Sequence, residues 1–89
     1  MANRWITTPQ RITQRPCKLK ALVITPSGDK AAVTVYDGSG QQTDIVLVIE
    51  LANANTLPIN LGDGLITEKG LYIGNFTDIT GVLVIWEEL

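Results

Sequence analysis

No stretch of this chain carries apolar residues at helical spacing over three turns, whereas short alternating runs stopped by Gly, Pro and Asp recur along its length. Residues 18–25 begin as an alternating run and halt at Pro26-Ser27-Gly28-Asp29, where Pro presets one dihedral and Gly accepts a positive φ. Residues 31–36 follow, with Val33 and Val35 on one face, and stop at Asp37-Gly38-Ser39-Gly40, a hairpin signal. Residues 44–51 form a third strong run. After Asn53-Ala54-Asn55, residues 56–61 read as a shorter, Pro-bearing edge strand. Gly62-Asp63-Gly64 turns the chain before a short extended piece at 65–67, and residues 70–76 and 80–86 are the last two strands. Six or seven short strands with regular turns predict an all-β fold, a small antiparallel β-sandwich of immunoglobulin-like or jelly-roll-like order. Residues 1–16, with Pro9 and Pro16, read as an extended N-terminal arm before a single sandwich domain over 17–89.

Two of the strands are apolar on both faces. Ile45, Leu47, Ile49 and Leu51 share one face of the third run, and Val46, Val48 and Glu50 the other. In the last strand Val82, Val84 and Trp86 oppose Leu83 and Ile85. A strand with one wet face should alternate, so something must cover the second apolar side. The arm could fold back with Trp5 and Ile6, a second copy could pack sheet to sheet, or a different partner or ligand could do so. A chain of 89 residues makes only a modest core, which favours a homo-oligomer. The expected subunit interface is then Val46, Val48, Leu83 and Ile85.

Composition removes several chemistries. The chain has no His, hence no imidazole base and no Ser-His-Asp triad, and its lone Cys17 makes neither an internal disulfide nor a Cys-based zinc site. No enzymatic activity and no cofactor are expected. The single unpaired Cys suits a reducing cytoplasm as the place of synthesis. There is no run of 18 apolar residues, so no membrane partner is expected, and the polar first 17 residues lack the apolar core of a secretory signal. Asn75-Phe76-Thr77 spells a glycosylation acceptor but reads as a strand end.

Charge is polarised. The first 20 residues hold Arg4, Arg11, Arg15, Lys18 and Lys20 and no acid, while the rest holds Lys30 and Lys69 against nine acids. Arg4, Trp5, Arg11 and Arg15 are thus the candidate partner-binding residues of the arm, reaching an acidic neighbour such as another copy of the chain. Five charges spread over 20 residues with one stacking ring do not predict a nucleic-acid partner.

Other candidates are weaker. Asp29, Asp37, Asp44 and Asp63 sit in separate turns without a calcium-loop pattern, and turn formation explains them. Glu87 and Glu88 point to opposite faces of a strand and read as solubilising residues. Trp5, Tyr36, Tyr72, Phe76 and Trp86 would serve a sugar-binding module if several shared an exposed face; core or interface roles compete with that reading. Cys17 stands beside Pro16 and near two lysines, a setting that could activate a thiol, although a passive role fits as well.

Read as a whole, Lys20-Ala21-Leu22-Val23-Ile24, Ala32-Val33-Thr34-Val35-Tyr36-Asp37-Gly38, Lys69-Gly70-Leu71-Tyr72-Ile73 and Gly81-Val82-Leu83-Val84-Ile85-Trp86 resemble the strands of small β-sandwich virion structural proteins of tailed bacteriophages. The resemblance covers residues 18–86 and carries no catalytic or ligand motif. It implies a capsid decoration or cement protein on the capsid exterior, self-associated with a trimer favoured and bound to the major capsid protein. A head–tail connector, tail or fibre module is the alternative within virions, and a carbohydrate- or ligand-binding β-module the alternative outside them.

Overall fold

The structure, a computed structural model, describes residues 2–38 and 44–89. Eight strands run in chain order: β1 (Ala2–Ile6), β2 (Gln10–Thr13), β3 (Cys17–Pro26), β4 (Ala32–Asp37), β5 (Asp44–Glu50), β6 (Leu57–Thr67), β7 (Leu71–Thr77) and β8 (Ile79–Glu88). They form two four-stranded antiparallel sheets, β1-β8-β3-β6 (sheet A) and β2-β7-β4-β5 (sheet B), which pack as a sandwich-like domain. The all-β expectation holds. The two orders run in step: β1 and β2, β8 and β7, β3 and β4, and β6 and β5 occupy corresponding positions in the two layers and are joined by short links. The tightest link is Asp78, a single residue at φ 51° between β7 and β8, so one path bends from sheet B into sheet A. Ser27 N–H donates to its carbonyl at 2.7 Å, tying the β3–β4 crossing to the same corner.

The core follows from alternation. Ile6, Val82 and Ile24 make one inner row of sheet A, and Val84 and Leu22 the next; all five are buried. Val33, Val35, Leu71 and Ile73 answer from sheet B. Alternation slips at Lys20, where the β3 register shifts between Leu19 and Ala21, so that Cys17, Leu19, Leu22 and Ile24 can all face inward. Opposite that slip, β6 makes an excursion through Gly62 (φ 63°), Asp63 and Gly64 (φ 105°), the turn signal of the sequence, while both halves of β6 still pair with β3.

Within the segment expected as an arm, residues 2–16 supply two strands of the sandwich: β1 is an edge of sheet A and β2 an edge of sheet B. Ile6 and Ile12 anchor them in the core. The aspartate of the Asp37-Gly38 signal reaches away from its own hairpin. Its carboxylate accepts from the Glu68 N–H at 3.1 Å and the Lys69 N–H at 2.8 Å, holding the β6–β7 link. Ser39 and Gly40 lie outside the described residues.

Candidate interaction surface

Register places the side chains of sheet A's outer face. Trp5 pairs with Leu83, Leu83 with Val23, and Val23 with Pro58, giving one row across all four strands. Asn3, Ile85, Ala21 and Asn60 make the next row. Their sequence neighbours Ile6, Val82, Val84, Leu22 and Ile24 are fully buried, whereas Leu83, Ile85, Val23 and Ala21 are half-buried and Trp5 is 50% exposed. The indole of Trp5 lies across Gly81, where a Cβ would collide with its six-membered ring. Gly81 therefore lets a large, rigid aromatic lie on the sheet with its other side open. Beyond this apolar band, Lys18 pairs in register with Glu87 on one side and with Ile66, itself 55% exposed, on the other, so the adjoining border is mixed.

Sheet B closes its outer face with its own side chains. Tyr36 and Tyr72 meet edge to face at 5.9 Å, Tyr36 is 5% exposed and Thr34 is buried. Among the described residues, the open large apolar groups of this sheet lie along the edge strand β5, at Ile45 (61%) and Val48 (54%). Here the expected faces change. The register shift between Val35 and Tyr36 inserts Val46 as an extra residue, which sends Ile45 outward with Val48 and lets Val46 pack on the core with Leu47. Val46 is thus separated from Val48, and both lie on a different sheet from Leu83 and Ile85. The four expected interface residues do not form one patch.

The arm residues also divide. Trp5 joins Leu83 on sheet A. Arg4 places its guanidinium 5.7 Å from the centre of the Trp86 ring, covering the end of the core. Arg11 lies opposite Tyr72 on sheet B, and Arg15 pairs with Glu88 at 3.6 Å, both exposed. Folding back of the arm through Trp5 and Ile6 was one of the three coverings the sequence allowed; the structure joins β1 to β8 as an edge strand, a long-range pairing that no local signal specifies.

The remaining candidates take structural places. Cys17 is fully buried with its Sγ 3.3 Å from Thr67 Oγ1, and burial, with Asp37 and Glu88 adding repulsion, pushes its thiol above the usual 9.0. This opposes an activated thiolate. Asp44 pairs with Lys69 at 3.5 Å, and no three His, Cys, Asp or Glu side chains gather among the described residues. The aromatics do not gather on one exposed face: Tyr36 and Tyr72 share the outer face of sheet B with Tyr36 covered, Trp86 is buried and Phe76 packs on the core. One groove lies between the β3–β4 link at Asp29 and Lys30 and the end of β5, and another at the β5–β6 link is lined by Asn53, Asn55 and Leu57; neither has a ring for stacking on a sugar. No helix is long and apolar enough to cross a membrane among the described residues. Comparison with protein-family models, curated proteins and solved structures finds no match to this chain.

Proposed function

We propose that this chain is a non-enzymatic structural protein of a phage virion, of the capsid-decorating kind, which acts by docking its sheet A outer face on the major capsid protein. One observation carries the reading: the row Trp5–Leu83–Val23–Pro58, an apolar band whose edge-strand aromatic lies over Gly81. A lattice-binding module needs a rigid scaffold and one contact surface with an apolar centre, and this face offers an apolar row flanked in register by Asn3 and Asn60. The strand texture of residues 18–86 adds the resemblance to virion sandwiches.

The test is cosedimentation with empty heads assembled from the major capsid protein encoded in the same genome. The chain should pellet with the heads. Trp5→Ala and Leu83→Lys should each weaken binding by about tenfold or more, since a Trp that anchors an interface commonly carries over about 1.4 kcal/mol. Absence of binding, or binding untouched by both substitutions, would remove the proposal.

A further inference from the structure

The matched order of the two sheets gives the sandwich two flanks. On one side lie the edges β1 and β2, on the other the edges β6 and β5. Residues 2–16, which build the first flank, hold Arg4, Arg11 and Arg15 and no acid. Residues 44–68, which build the second, hold Asp44, Glu50, Asp63 and Glu68 and no base. Within the chain these charges are only lightly engaged. Arg15 meets Glu88 and Asp44 meets Lys69, both across exposed, water-screened contacts. Lys20, from the neighbouring strand β3, reaches the Asp63 carbonyl at 3.4 Å. Arg11 and Glu50 form no ion pair among the described residues.

The second flank also carries an unguarded edge. β6 is interrupted by the excursion at Gly62–Gly64 and carries Pro58, both of which discourage strand addition. β5 runs seven residues without Pro or Lys and exposes Ile45 and Val48. Its outer backbone groups have no strand beside them among the described residues. A second copy could meet this edge in two ways. Two-fold pairing of β5 with β5 would set one acidic flank against another. Head-to-tail pairing sets the acidic flank against a basic one.

We infer that copies of this chain associate head to tail, with the acidic β5 edge of one docked along the basic β1/β2 flank of the next, β5 facing β2 so that sheet B continues from copy to copy. The inference supplies the partner surface for the self-association expected of such a protein and rests on the structural reading above only for that. It uses the flanks and leaves the outer face of sheet A open. Heterologous contact yields a ring or an open filament and excludes a two-fold dimer.

The experiment is solution mass by light scattering coupled to size exclusion, over a range of protein concentrations at low and high salt. The full chain should exceed monomer mass at low salt and fall toward it at high salt. The double variants Arg11→Glu/Arg15→Glu and Asp44→Lys/Glu50→Lys should each stay monomeric, and mixing them should restore mass of at least two chains, because reversed flanks complement one another. Circular dichroism checks that each double variant is folded. Should either fail to fold, Ile45→Lys/Val48→Lys replaces it and should likewise be monomeric. A monomeric wild-type chain, reversed variants that keep wild-type mass, or a mixture that stays monomeric would each overturn the inference. Head binding reports separately: a charge-reversed monomer that still pellets with heads, though more weakly, leaves the sheet A reading standing, and an assembling chain that ignores heads removes that reading alone.

Discussion

The two outer faces of the sandwich begin from similar material, β-branched strands with one aromatic row each, and end differently. On sheet B, Tyr36 is covered, stands edge to face with Tyr72, and Thr34 is buried opposite Gly74. On sheet A, the Trp5 ring lies over Gly81, and half of its surface stays in water. An aromatic paired with another ring in the middle of its sheet completes the fold. An aromatic laid over a glycine from an edge strand adds area that only a partner can finish burying. The contrast shows how a thin domain can keep one face closed and the other available without any change of secondary structure.

Three measurements break or sharpen this contrast. The largest effect is expected from Tyr36→Ala, which should cost about 3 kcal/mol in urea unfolding, as for a buried aromatic. Leu83→Ala, on the half-open face, should cost about 1 kcal/mol. Equal losses would mean that the two faces serve folding alike. Gly81→Ala should cost about as much as Leu83→Ala, near 1 kcal/mol, through expulsion of the Trp5 ring by the new Cβ. A red shift of Trp emission should accompany it, and an unchanged spectrum would show that the indole does not rest there. The smallest effect concerns the core beneath both faces. Burial raises the Cys17 thiol above its unfolded value, so the folded state holds that proton more tightly. The stabilisation is fully present below the unfolded thiol pKa and fades as pH rises through the folded one. The stability gap between wild type and Cys17→Ser should therefore narrow above about pH 9, and a gap constant to pH 10.5 would contradict it.

Much of the fold was legible because strand-forming and turn-forming residues act locally. Residues 18–25, 31–36, 44–51, 70–76 and 80–86 all overlap observed strands closely, and Gly62-Asp63-Gly64 marks a real excursion, although pairing with β3 continues on both sides of it. Two things were not legible. One was the phase slip at Val46, since a bulge in a run of apolar residues leaves the sequence looking regular while it exchanges the faces. The other was the manner in which residues 2–16 join the body: folding back through Trp5 and Ile6 was one expectation, but their short strands pair with β8 and β7, far away in the chain. The candidate surface was half visible for the same reason. Leu83 and Ile85 were recognisable as apolar on the wrong side, but Trp5 reaches them only through long-range pairing.

The passage of the chain from one layer to the other at every link except that between β4 and β5 has a consequence in time. Apart from that one hairpin, no strand can zip onto its predecessor. The middle of sheet A waits for β8 to meet β3, and β1 waits for β8 as well, so the first strand made is among the last to find its place. Folding of such a chain closes large loops before it gains contacts, which places it among slow folders on the scale of milliseconds to seconds. During synthesis Arg4 therefore remains unplaced until β8 has emerged, Arg11 in β2 waits for β7, and β4 with β5 is the most local pairing of the sandwich.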